Sequence, residues 1–235
     1  MIRSYLMIGQ SNMAGRGFLN EVEPVTDERL LMLRNCKWIR MREPVNYDRP
    51  TAGVGLVSGF GKSFIDDNKE DTAAFIPCAD GGTGIDEWQK GTPLYENALF
   101  SAKMAMKIST LDGILWHQGE HDSCAELIDS YSEKFLRFYH DLMSDLGVSV
   151  PFIIGGVPLA EFSDNETLKH YATILNSKLL KIAETNDRIY YVSCKGLTCN
   201  PDMLHVNSSS QRIFGARYYK AFSERRNVLD SEIEI

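Results

Sequence analysis

Short apolar runs rich in β-branched and aromatic residues alternate along this chain with longer segments of helical periodicity. Few folds accommodate that alternation. The short runs at 4–8, 72–78, 113–116, 152–157 and 189–193 read as strands, the fourth bounded by Pro151 and Pro158. Between them, 55–68, 94–108, 125–146, 167–184 and 208–225 read as helices. The third is the longest, with Leu127, Tyr131, Phe135, Phe138, Leu142 and Leu146 forming a stripe at steps of three and four. Ser208 and its neighbours offer an N-cap for the last. Strand and helix in alternation predict an α/β fold, a parallel sheet covered by helices on both faces. With 235 residues and no internal repeat, the chain suits one domain spanning 1–235.

Charge and composition exclude several functions. The formal net charge is −7, so the chain lacks the basic face that phosphate contacts require, and no nucleic-acid partner is expected. Lys37, Arg40 and Arg42 lie close together and read as solvated surface. No apolar run approaches the roughly 20 residues of a membrane span. The apolar start, Met1 to Ile8, is too short for a signal peptide and runs directly into a polar motif, so a cytoplasmic location is expected. Cys36, Cys78, Cys124, Cys194 and Cys199 show no zinc spacing and read as reduced thiols, with a Cys194–Cys199 bridge the lesser reading.

Ligand sites in parallel sheets form beyond the carboxyl ends of the strands. Four polar motifs of this chain fall there: Gly9-Gln10-Ser11-Asn12, Asp80-Gly81-Gly82-Thr83, His117-Gln118-Gly119-Glu120, and Asp202 with His205. A serine hydroxyl needs a base to become a nucleophile. Asp202 and His205, three residues apart, can place a carboxylate on one imidazole nitrogen and leave the other for Ser11. Attack on an ester would create an oxyanion, for which the Ser11 N–H, a Gly82 N–H and the Gln118 amide are candidate donors. Each feature alone has a plainer reading: Ser11 as a helix cap, Gly81-Gly82 as a turn, Gln118 as a surface amide. The segment His117-Gln118-Gly119-Glu120-His121 also fits a zinc-binding pattern, but that pattern needs a helix, and here a strand feeds it and Gly119 interrupts it.

Together the motifs resemble the carbohydrate esterases of the sialate O-acetylesterase and plant acetylxylan esterase type, within the SGNH hydrolase superfamily. Gly9-Gln10-Ser11-Asn12-Met13 resembles the nucleophile block, and Gly81-Gly82-Thr83 with Trp88 the glycine block. Trp116-His117-Gln118-Gly119-Glu120 with Asp122 resembles the third block, and the run from Asp202 through Asn207 to Arg217 the terminal block. The resemblance implies a flavodoxin-like three-layer sandwich with a central parallel sheet of five strands. It also implies a triad of Ser11, Asp202 and His205, an oxyanion hole of Ser11, Gly82 and Gln118, and neither metal nor cofactor. Gln10, Asn12, Glu120 and His121 are expected to support the site or touch substrate. Two positions depart from the wider pattern: Gln118 replaces an asparagine, and His121 stands where a small residue is expected. The implied substrate is a small acetylated sugar, of acetylated sialic acid or xylo-oligosaccharide type, and the chain's compactness favours a small or terminal unit. The alternatives are a non-catalytic sugar-binding protein on this fold, or a hydrolase of a lipid or thioester acyl group. The oligomeric state is not encoded in any motif.

Overall fold

The computed structural model describes residues 1–234. A seven-stranded sheet runs through its centre. The strands are β1 (Ile2–Gly9), β2 (Leu30–Arg34), β3 (Lys37–Arg40), β4 (Thr72–Pro77), β5 (Thr110–His117), β6 (Phe152–Gly155) and β7 (Ile189–Val192), in the spatial order β3-β2-β4-β1-β5-β6-β7. All neighbours pair in parallel except β2 and β3. The helices are α1 (Ser11–Ala14), α2 (Leu56–Asp67), α3 (Pro93–Ala105), α4 (Tyr131–Leu146), α5 (Leu159–Phe162), α6 (Glu166–Glu184) and α7 (Ser208–Glu224).

Side-chain alternation along the strands builds a core on each face. Leu6, Ile8, Ile76, Ile114, Trp116 and Ile154 point into one core, closed by Trp88 and by Phe135 and Phe138 of α4. Tyr5, Met7, Phe75, Leu115 and Ile153 point into the other, closed by Phe60 and Phe64 of α2 and Phe214 and Phe222 of α7. Trp88 and Trp116 meet edge to face at 5.5 Å between ring centroids, so Trp88 is a core residue.

Five of the strands are those expected from the sequence, and β2 and β3 correct that expectation. They form an antiparallel hairpin at the sheet edge, turned by Asn35 and Cys36 at φ of 50° and 58°. Two residues of positive φ match the twist of a tight hairpin, but Asn-Cys lacks the glycine that usually announces one. Lys37 and Arg40 are exposed on this edge strand, where charge discourages further pairing. The expected helix 125–146 also begins later. A short 3-10 turn over Ile128–Ser130 precedes α4.

After β1 the chain builds β2, β3 and β4 on one side of it and then crosses to β5 on the other, so the topology switches at β1. The carboxyl ends of β4, β1 and β5 therefore open a crevice, which brings the loops after these three strands together.

Candidate active site

Ser11 begins α1 immediately after β1. The turn into it depends on Gly9, at φ +128°, where a Cβ would stand 2.1 Å from the carbonyl oxygen of His117 on β5. Only glycine allows the two strands to approach so closely there.

His205 arrives from the opposite end of the chain. The loop after β7 starts at the sheet edge, two strands beyond β5, and it and the first turn of α7 are held across the crevice by hydrogen bonds to α1 and to Arg16 just after it. Asn200 Nδ2 donates to the Arg16 carbonyl at 2.8 Å, Val206 N to Asn12 Oδ1 at 3.0 Å, and Gln211 Nε2 to the Asn12 carbonyl at 3.2 Å. At the end of this loop His205 Nδ1 lies 2.7 Å from Asp202 Oδ2, and His205 Nε2 lies 3.0 Å from Ser11 Oγ. The carboxylate takes Nδ1–H, which leaves Nε2 to accept from the serine hydroxyl.

Asp202 also accepts the N–H groups of Leu204 and His205, both at 3.0 Å, in a tight turn with Met203 at φ 53°. Burial acts to raise the Asp202 carboxyl, but these N–H donors and the imidazole outweigh it and hold it below the usual carboxylate range. The Asp202 side chain remains 48% exposed, against 18% for His205.

Ser11 and His205 open on a cavity of about 360 Å³, which Gln10, Arg16, Gly81, Gly82, Glu120, His121 and Leu204 also line. The N–H of Ser11, first in its helix, and that of Gly82 have no hydrogen-bond partner among the described residues. Gly82 has φ +83°, and a Cβ placed on it would meet nothing within 4 Å, so its requirement for glycine is one of backbone conformation alone.

Gln118 corrects the expectation from sequence. Its side chain is fully buried and lies outside the cavity lining. Its Nε2 faces three acceptors, Asp122 Oδ2 at 2.5 Å, the Thr83 carbonyl at 3.1 Å and Gln10 Oε1 at 3.2 Å. An amide with two N–H groups among three acceptors has none left for an oxyanion. Gln118 instead orients Gln10, whose Oε1 also accepts from Gly119 N at 3.1 Å. That assignment leaves Gln10 Nε2 as the amide donor on the cavity wall.

Asn12 and Glu120 lie beneath the site. Glu120 Oε1 accepts from Asn12 Nδ2 at 2.6 Å and pairs with His117 Nε2 at 2.9 Å. Burial acts to raise the Glu120 carboxyl, but His117 and Asn12 prevail and lower it. His117 is thus turned inward to Glu120, while His121 is exposed on the cavity wall beside Gly84, and the segment joining them is not helical. The zinc pattern has no helical face on which to present its two histidines. All five cysteines are free, including Cys194 and Cys199.

Sequence reasoning missed Arg16 and Asp48. Their buried pair has Nη2 and Oδ2 at 2.6 Å, and the same Oδ2 accepts Gly81 N at 2.8 Å. Asp48 thereby anchors the Gly81-Gly82 turn to Arg16, two residues beyond α1. Arg16 follows the Ser11 motif closely enough to have been suspected, whereas Asp48 lies in a loop without periodicity.

The family described as carbohydrate esterase, sialic acid-specific acetylesterase, matches residues 2–224. The chain belongs to this family. Its members are carboxylic ester hydrolases that act on acetylated carbohydrate. The sequence is 28% identical over 241 residues to the probable carbohydrate esterase At4g34215 of Arabidopsis thaliana, covering 93% of this chain and 89% of that protein. The X-ray structure of the Arabidopsis protein superposes with a TM-score of 0.85 at 25% identity, covering 94% of this chain and 98% of that one. NanS superposes with a TM-score of 0.78 at 16% identity, covering 95% and 97% of the two chains, which shows the shared fold. The Arabidopsis protein and NanS thus share the α/β architecture described above.

Proposed function

We propose that this esterase removes O-acetyl groups from a small or terminal sugar, of acetylated sialic acid or xylo-oligosaccharide type, through an acetyl-enzyme on Ser11. One observation carries the reading: the hydrogen-bonded series from Asp202 through His205 to Ser11 ends in a cavity whose lining includes Gln10, Arg16 and His121. His205 Nε2 takes the Ser11 proton as Oγ attacks the acetyl carbonyl, and Asp202 holds the tautomer and steadies the imidazolium that forms. The oxyanion rests on the N–H groups of Ser11 and Gly82, with Gln10 Nε2 as the side-chain donor on that wall. As the tetrahedral intermediate collapses, His205 returns the proton to the departing sugar oxygen. Water then attacks the acetyl-enzyme by the same route, releasing acetate and restoring Ser11.

A cavity of about 360 Å³ is small for a ligand site and suits an acetyl group with part of one sugar ring. Acetate release from acetylated sialic acid and from acetylated xylo-oligosaccharides ranks the two substrate types. Ser11→Ala is expected to lower turnover on either by at least ~10³-fold, His205→Ala by nearly as much, and the double variant by little more. A purified Ser11→Ala protein that retains most of its activity overturns the assignment.

A further inference from the structure

We propose that a second cavity, beside the edge strand β7, binds a neutral polyhydroxylated ligand of saccharide type. Its volume is about 410 Å³, and it shares no lining residue with the Ser11 cavity. It lies between α5, α6, the end of β7 and the segment around Asp230.

Tyr191 lines it. This residue is only 5% exposed, and its hydroxyl has no hydrogen-bond partner among the described residues, although it is not sealed from the cavity. Buried phenols normally pair their O–H. Space for the oxygen is kept by Gly156, where a Cβ would stand 2.5 Å away. The structure therefore holds rigidly a donor and acceptor that serves no internal contact.

Two carboxylates stand on the rim. Glu161 Oε2 accepts Gly196 N at 3.1 Å, and Asp230 Oδ1 accepts Ser193 Oγ. Each is oriented by one bond and keeps lone pairs to offer. Neither forms an ion pair among the described residues, yet Arg217, donating to the carbonyls of Ser193 and Lys195, lies near enough for its charge to act with both. Lys195 Nζ adds a second positive charge, 3.2 Å from the Asp230 carbonyl. The cavity is thus rich in acceptors without being strongly anionic. Leu180 and Leu229 give it an apolar wall. Fixed acceptors for hydroxyl groups, a phenol that donates or accepts, and an apolar surface for a C–H face suit a sugar. An amine would be served by uncompensated negative charge, and an apolar ligand would desolvate the carboxylates at a cost.

The proposal is independent of the role of Ser11. The test titrates the whole protein with unmodified xylose, glucose and galactose, followed by calorimetry and by amide chemical shifts. Saturable binding of at least one sugar is expected, with shifts clustered around Tyr191, Ser177 and Asp230. Tyr191→Phe, which removes one oxygen and little packing, and Glu161→Gln should each weaken it about tenfold, while Ser11→Ala should leave it unchanged. The proposal is overturned if none of the three sugars binds saturably, or if the shifts cluster only around Ser11 and His205. Affinity unchanged in Tyr191→Phe, or saturation by ethanolamine in place of the sugars, overturns it equally.

Discussion

The Asn12 amide and the Glu120 carboxylate meet in a 2.6 Å hydrogen bond beneath the candidate nucleophile, tying the turn after β1 to the loop after β5. Asn12 Oδ1 meanwhile receives Val206 N, next to His205. One asparagine side chain thus joins the two parts of the chain that must meet if Ser11 and His205 are to react.

Glu120→Ala leaves the Asn12 amide and the His117 imidazole without their buried acceptor, and is expected to cost about 3 kcal/mol of stability in denaturant unfolding. Glu120→Gln, which keeps one oxygen for both, should cost less. Because the Glu120 carboxyl is lowered on folding, its stabilisation is present above the ordinary carboxyl range and is lost as pH falls through the folded value. The acid limb of the stability profile should therefore flatten in Glu120→Gln. An unchanged limb would remove this carboxylate from the account.

Asp202 is half exposed, so water substitutes for part of its role when it is removed. Asp202→Ala, which leaves room for water beside Nδ1, is expected to lower kcat on an acetyl ester on the order of 10²-fold, less than Ser11→Ala does. Its folded carboxyl lies below the ordinary range, so the Asp202–His205 contact persists through mildly acidic pH and weakens only as pH falls through that lowered value. A loss equal to that of Ser11→Ala would mean that solvent cannot stand in for the carboxylate.

Gly82→Ala places a Cβ in open space but on a backbone at φ +83°. The expected cost is about 1–2 kcal/mol of stability from conformation alone. If the turn moves to relieve it, the Gly82 N–H leaves its aim and kcat falls on the order of 10²-fold with KM little altered. Steady-state kinetics separates the two, and an unaffected kcat would exclude this N–H as an oxyanion donor.

Asp122 presents the opposite electrostatics to Glu120. Burial raises its carboxyl, and the Gln118 amide and Ile85 N–H, both bonded to Oδ2, reduce the shift without reversing it. Above the raised folded value, the ionised Asp122 is less favourable in the folded protein than in the unfolded chain. Asp122→Asn keeps an oxygen for both donors and should raise stability at neutral pH, the gain shrinking as pH is lowered. Destabilisation at pH 7 would show that the hydrogen-bonded charge outweighs its burial.

The hairpin and Gln118 mark where reading the chain locally falls short. Periodicity identified the five buried parallel strands because their apolar runs answer to burial on both faces. The strands β2 and β3 have exposed or half-buried positions, such as Lys37 and Arg40, and so lack that signature. The Gln118 motif was legible, but its direction depended on acceptors supplied by Thr83 and Asp122 around it.

The order of the five buried strands and the long helices between them, the place of the motifs at strand ends and the family likeness were all determined by the sequence, since each rests on residue types and spacings within short stretches. The meeting of Ser11 with His205 across 194 positions, the diversion of Gln118 from the cavity and the anchoring of Gly81 by Asp48 were decided by the tertiary structure. A hydrogen bond depends on distance and angle between groups that different loops deliver. Those quantities exist only once the sheet has set where each loop begins and packing has set where it ends.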